Sequence, residues 1–144
     1  MNRDLPVLRA LRSLPDKVMG EALVSNDAIS MRYDVDASTG KVVRPSHDLY
    51  GQSISGKVLI FKNTKGGVAT GWALLNLKSR GTAPIALVCD TTNPVFVQGA
   101  ALAGLPIMDG FRESPRSAVR TGDVVELDGI SGELKVLRRG AGGQ

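Results

Sequence analysis

The chain has 144 residues, 42% of them hydrophobic and 4% aromatic, and 18 basic against 14 acidic side chains give it a formal charge of +4. That length accommodates one domain with a full core, burying roughly two-thirds of the unfolded surface, and its longest apolar runs, such as Ile85–Val88 and Ala100–Ala103, fall far short of the ~20 residues of a membrane span. Tyr33, Tyr50, Phe61, Trp72, Phe96 and Phe111 are scattered rather than interleaved with a basic stripe, so neither nucleic acid nor membrane is expected among the partners.

Residues 1–17 stand apart as a basic N-terminal arm carrying Arg3, Arg9, Arg12 and Lys17. Leu5, Leu8 and Leu11 recur at three-residue spacing, which permits a short amphipathic helix bracketed by Pro6 and Pro15. The arm can dock a partner or fray. It alternates charges with leucines instead of presenting an uninterrupted apolar core, so no signal peptide is expected. With the single Cys89, which has no internal partner for a disulfide, this points to a cytoplasmic protein.

From residue 18 short β-type segments follow one another. Gly20–Val24, Ala28–Tyr33, Lys41–Arg44, Lys57–Phe61 and Ile85–Cys89 read as strands, with Asp36–Gly40 as the turn between the second and third. Two helices follow the later strands. Val68–Ser79 carries Trp72, Leu74, Leu75 and Leu77 and stops at Arg80-Gly81; Asn93–Ala103 has Asn93 as a cap before Pro94 and Gly104 as its stop. Leu105–Met108 reads as another short strand. Residues 120–137 alternate apolar and polar around Asp128-Gly129-Ile130-Ser131-Gly132, the pattern of a β-hairpin. Residues 138–144 are a polar, glycine-rich, flexible tail. Early strands, a central strand-helix-strand-helix-strand unit and a closing hairpin give an α/β, three-layer β/β/α body over 18–137.

The junction from Val58 to Leu77 is the natural place for a site. An apolar strand enters Lys65-Gly66-Gly67 and leaves as a helix, so main-chain N–H groups of Gly67 and Val68 stand unpaired at the positive end of a helix dipole, beside Lys65. That arrangement suits a carboxylate or phosphate, a small anionic substrate. No His, Cys, Asp or Glu lies between Lys65 and Trp72, and Thr64 and Thr70 offer the hydroxyls.

Six separated segments coincide, in order, with a known family: Gly20–Ser25, Asp36–Val43, His47–Leu59, the Gly66-Gly67 loop, Gly81–Val88 and Gly99–Ile107. Together, over about residues 18–137, the chain resembles the small subunit of the aconitase X family, the UPF0107 (DUF126) group. The resemblance implies a three-layer swivelling β/β/α domain, like the C-terminal swivel domain of aconitase, closing over an aconitase-like large subunit. It implies a hydro-lyase in which the large subunit holds an iron or iron-sulfur centre, with no cofactor and no metal ligand in this chain. Activities known in the family include dehydration of cis-3-hydroxy-L-proline and of phosphomevalonate, and no turnover is expected of the small subunit alone. In those members a serine directly follows the glycine at position 66 and is held to transfer the proton; here that position is Gly67. An amide N–H can bind an oxyanion but cannot take a proton. A second departure is Tyr33-Asp34, where the family more often has a glycine pair.

Each candidate has two readings. Lys65, with Gly66, Gly67 and Val68, binds the substrate anion, or the lysine is simply solvated. Thr70 replaces the absent serine as a catalytic hydroxyl, or caps the helix. Trp72 lines the substrate pocket, or anchors packing. His47, the one histidine, is a candidate acid or base by its near-neutral titration, or a structural residue. Asp34 and Asp36 bind a cation or amine, or organise their turn. Cys89 ends an apolar strand, and one Cys with one His cannot hold a cluster. Two functions follow: a substrate-closing small subunit of a dehydratase, or an anion-binding or regulatory swivel domain that lost catalysis with the serine. A phosphohistidine carrier, which shares a Gly-Gly loop and a closing hairpin, needs a histidine near the helix start, and Thr70-Gly71-Trp72 has none.

Overall fold

The computed structural model describes residues 5–10, 12–13, 17–65 and 68–140. In chain order its elements are β1 (Val7–Arg9), β2 (Arg12–Ser13), β3 (Lys17–Val24), β4 (Val58–Asn63), α1 (Val68–Arg80), β5 (Ala86–Thr91), α2 (Pro94–Leu102), β6 (Ile107–Asp109), α3 (Pro115–Ala118), β7 (Val124–Asp128) and β8 (Glu133–Arg138). The strands follow one another across the sheet as β1-β8-β7-β3-β4-β5-β6-β2. β3 to β6 are parallel neighbours, whereas β3 meets β7, β7 meets β8 and β8 meets β1 antiparallel.

The parity of β4 and β5 builds the layers. Successive side chains of a strand point to opposite faces, so Val58, Ile60, Ala86 and Val88 enter one core with Val125, Leu127, Leu134 and Val136 of the antiparallel layer. Leu59, Phe61, Leu87 and Cys89 enter the other, with Leu74 and Leu77 of α1 and Phe96 and Ala100 of α2. Both faces of these strands are covered, which is why they read as continuous apolar runs rather than alternating ones. The β/β/α order expected from the sequence is the observed one. Phe61 meets Phe96 edge to face at 6.3 Å between ring centres, and burying each ring stabilises the fold by about 1.5–3 kcal/mol relative to exposure.

Caps and turns fix where elements stop. Asn93 Oδ1 accepts from the Phe96 N–H at 2.9 Å, Pro94 occupies the first turn of α2, and Gly81 and Gly104 lie at φ +75° and +70° after the helices. In that left-handed region glycine carries no Cβ penalty.

Three local expectations are corrected. The arm forms no amphipathic helix among its described residues: β1 pairs with β8, Leu8 opposite Leu134, and β2 pairs with β6. Both outer strands would otherwise present unpaired edges, and the alternation of exposed Val7, buried Leu8 and exposed Arg9 is a strand period. Ala28–Tyr33 is not a strand. Ile29 makes one bridge to Thr64, and the chain then turns through residues 31–34 because the Asp34 N–H bonds Ser30 O and the Asp34 carboxylate accepts the Ser30 N–H. Lys41–Arg44 contributes two isolated bridges, Val42 to Val35 and Lys41 to Ser53, with Gly40 at φ +74° closing the expected turn. Sequence reasoning missed α3, capped by Ser114. At the C-terminus Arg138 ends β8, and Arg139 and Gly140 are bound to the buried Asp123 carboxylate at 2.6 and 3.0 Å.

Candidate functional site

The carboxyl ends of β4 and β5 lead directly into α1 and α2, the position at which open α/β sheets bind ligands. Asn93 bridges the two junctions, its Nδ2 donating to Thr64 Oγ1 at 3.1 Å. Beside them runs the segment after β3. The Ile29 N–H donates to Asn63 O at 3.1 Å and the Lys65 N–H donates to Ile29 O at 3.0 Å, so residues 29–30 lie along 63–65.

This lacing places the Ser30–Asp34 turn next to Lys65. The Asp34 side chain is 0% exposed. Its Oδ2 accepts the Ser30 N–H at 2.8 Å and lies 3.7 Å from Lys65 Nζ, and its Oδ1 is bound by Arg44 Nε. Arg44 is delivered by the returning chain, where the Val43 N–H bonds Asp34 O at 2.8 Å. Burial alone would raise the carboxyl pKa, but the Ser30 N–H and the Arg44 and Lys65 charges together hold it below the ordinary aspartate value. The result is a buried anion beneath two half-exposed cations, Lys65 at 45% and Arg44 at 43%.

The same turn walls a cavity of about 280 Å³ against α1, lined among others by Met31, Arg32, Val35, Trp72 and Asn76. Arg32 stacks on the Tyr33 ring at 5.3 Å. Trp72 is 68% exposed, and it also borders an apolar groove between α1 and α2 that includes Leu75, Val95 and Leu102.

Of the residues expected at the site, Lys65 is held in the Asp34 cluster and Trp72 lines the adjacent cavity. Gly66 and Gly67 lie outside the described residues, as does the side chain of Val68, which opens α1. Thr70 is buried, and its hydroxyl donates to the main-chain carbonyl of Lys65 at 3.0 Å. His47 is buried beneath the segment: Nε2 lies 3.1 Å from Ala28 O, which can only accept, and Nδ1 accepts the Leu49 N–H at 3.1 Å. The Ala28 carbonyl calls for a hydrogen on Nε2, and Nδ1 lies 3.3 Å from Asp48 Oδ1 as well. Asp36 folds back on its own turn, accepting from Ser38 and Thr39, and the Ser38 N–H contributes most to holding its carboxyl below the ordinary range.

The sequence does not single out Arg44, and it offers Asp34 only as a ligand of a cation or amine or as an organiser of its turn. The one available signal was an acid and a base ten positions apart flanking Asp36–Gly40, a turn that folds them together.

The described residues do not fit an iron centre. Cys89 is buried with Sγ 3.9 Å from Met108 O, and both His47 nitrogens are engaged. Asp27, His47 and Asp48 do bring ligand-type atoms within 4.8 Å of one another. Asp48 accepts from Ser25 Oγ and the Asn26 N–H, and Asp27 accepts the Asp48 N–H, so main-chain and hydroxyl donors account for the grouping.

Residues 7–136 match the family model of the aconitase X swivel domain. The chain belongs to that family, and the matched span takes in β1. It is 38% identical over 119 residues to the phosphomevalonate dehydratase small subunit of Methanosarcina acetivorans, covering 83% of each chain, and 36% identical over 120 residues to that of Methanocella arvoryzae, covering 83% of this chain and 91% of the relative. Among solved structures, a chain of Thermococcus kodakaraensis aconitase X in its holo-form superposes with a TM-score of 0.85 at 33% identity, covering 92% of this chain and 99% of that one. The solution structure of a UPF0107 protein gives a TM-score of 0.83 at 30% identity, covering 92% and 100%. No helix among the described residues is long and apolar enough to cross a membrane.

Proposed function

We propose that this chain is the small, swivelling subunit of an aconitase X-type dehydratase, closing over a large subunit that carries the reaction centre, with a phosphorylated hydroxy acid of the phosphomevalonate type as substrate. The observation that carries this reading is similarity over most of both chains to proteins named phosphomevalonate dehydratase small subunit. The site is compatible with it. Lys65 and Arg44 supply positive charge at the mouth of the strand-helix junction, and the adjacent cavity offers apolar walls for a carbon skeleton. The cis-3-hydroxy-L-proline alternative has a ring amine and a carboxylate instead, and the named relatives favour the phosphorylated substrate over it.

In this reading the chain binds and orients the anionic end of the substrate through Lys65, Arg44 and the Gly66-Gly67 loop. Closure excludes water, and exposed Trp72 meets the large subunit or the substrate. An iron or iron-sulfur centre belongs to the large subunit, and a cytoplasmic setting goes with this assignment. Dehydration removes a proton from the carbon beside the leaving hydroxyl, and with Gly67 in the loop and the Thr70 hydroxyl bonded to Lys65 O, this chain offers no evident proton acceptor there. That feature favours a second reading, a binding or regulatory swivel domain without catalysis.

Coexpression with an aconitase-like large subunit, followed by size exclusion and a dehydratase assay, separates the two. The proposal requires co-elution and turnover of phosphomevalonate by the complex, none by this chain alone, and increased turnover with Gly67→Ser. Co-elution without turnover in either form favours the binding-domain reading. A large subunit that elutes alone at low salt overturns the partnership.

A further inference from the structure

A carboxylate with no solvent exposure is stable only when its charge is compensated and its lone pairs are filled. Asp34 meets both conditions with a main-chain donor and two cations, one on each oxygen. The cations themselves are nearly half exposed. Arg44 is attached through Nε, and among the described residues its two Nη groups meet no acceptor. One negative and two positive charges leave the cluster with a net single positive charge, directed to solvent. Without the carboxylate the two cations would repel and their long side chains would sample many rotamers. With it, part of the ordering cost of gripping an anion is met before the anion arrives.

We propose that Asp34 is the positioning residue of a two-cation anion site, holding Lys65 and Arg44 on its two oxygens so that their outward N–H groups receive the phosphoryl group of the substrate. This deepens the reading above and rests on it for the substrate being a phosphoester. Asp34 itself stays beneath the cations and does not touch the ligand. A phosphate dianion engages both cations at once, whereas a small carboxylate gains less from the second.

The test uses the full chain titrated at low salt with inorganic phosphate, and in parallel with acetate, reading amide shifts at Lys65 and Val68 to Thr70. Arg44→Gln and Lys65→Ala each weaken phosphate binding about tenfold and acetate binding less. Asp34→Asn weakens phosphate about tenfold in the wild-type background, but less than twofold when both cations have been removed. Phosphate affinity within twofold of wild type in Arg44→Gln overturns the site. So does an Asp34→Asn that binds phosphate more tightly, the result expected if the carboxylate only opposes anions through its charge. An undiminished loss in the background lacking both cations, the mark of a merely structural role, overturns it too.

If Asp34→Asn does not fold, the two half-exposed cations are combined alone: loss in the double variant well below the product of the single losses supports a shared seat, and simple multiplication overturns it. In the assembled complex, Arg44→Gln raises KM about tenfold and leaves kcat within threefold. An inactive complex with the phosphate coupling intact rejects the dehydratase reading and keeps the anion site. An active complex without coupling does the reverse.

Discussion

The Thr70 hydroxyl, inside the first turn of α1, reaches back 3.0 Å to the main-chain carbonyl of Lys65, on the other side of the two loop glycines. This bond gives the lysine carbonyl a donor and closes the loop between the strand and the helix. Lys65 is thereby held from three sides: its N–H by Ile29 O, its carbonyl by Thr70 and its ammonium by Asp34.

Replacing Thr70 by Val keeps the β-branched shape and deletes the hydroxyl. Stability falls by about 0.5–1.5 kcal/mol, the net contribution of one hydrogen bond, measured by urea denaturation. Phosphate affinity at the loop falls with it, because the Lys65 backbone is released. Unchanged affinity in a destabilised variant would limit Thr70 to bracing the Lys65 carbonyl, a donor bond from inside α1 and not the helix cap that the sequence offered.

Asp34 predicts a specific pH dependence. Its folded-state pKa lies below the ordinary value, so the unfolded chain takes up the proton first on acidification. The stabilisation is complete above the usual aspartate pKa of about 3.9 and is lost as pH falls through the lowered folded value. Denaturation midpoints for wild type and Asp34→Asn are expected to converge as the pH drops from about 5 to about 2. Parallel curves across that interval would show that the ion pairs with Arg44 and Lys65 contribute nothing to stability.

His47→Ala removes both bonds of a buried ring and strands Ala28 O and the Leu49 N–H. The expected cost is about 2–4 kcal/mol, from two buried main-chain groups losing partners. Because this ring braces main chain, the folded complex is expected to keep kcat within tenfold. A loss of a thousandfold or more in a folded variant would make His47 the acid or base.

The contact between α1 and α2 depends on Gly71 and Gly99. A Cβ built on Gly99 would lie 2.5 Å from Gly71 Cα, whereas one built on Gly71 would lie 3.3 Å from Gly99 Cα. Ala gains up to about 1 kcal/mol over Gly in a helix interior, and overpacking costs about 1–3 kcal/mol. Gly99→Ala should therefore lower thermal stability by several degrees and Gly71→Ala by little. The reverse order would show that the helices part at Gly99 without strain.

Trp72 is exposed, so Trp72→Ala should change the stability of the isolated chain by no more than about 0.5 kcal/mol. Its indole fluorescence should shift to the blue when the large subunit binds, and the alanine variant should bind more weakly. A spectrum unchanged in the complex places Trp72 outside the interface.

The sequence by itself determined the secondary elements whose signals are local. The Asn93-Pro94 start and Gly104 stop of α2 follow from capping and from glycine's access to positive φ, and the hairpin at Asp128–Gly132 from its turn residues. The run from Val58 to Phe61 announced an apolar strand, and the six family segments carried the β/β/α order. Tertiary structure decided the rest. The arm became β1 and β2 because two sheet edges needed partners, an outcome that three-residue leucine spacing does not encode. Asp34, Arg44 and Lys65 are 31 residues apart from first to last, and no periodicity joins them. They meet because the chain after β3 pairs with the end of β4 and then turns back on itself, and because a carboxylate without solvent requires cations on its oxygens.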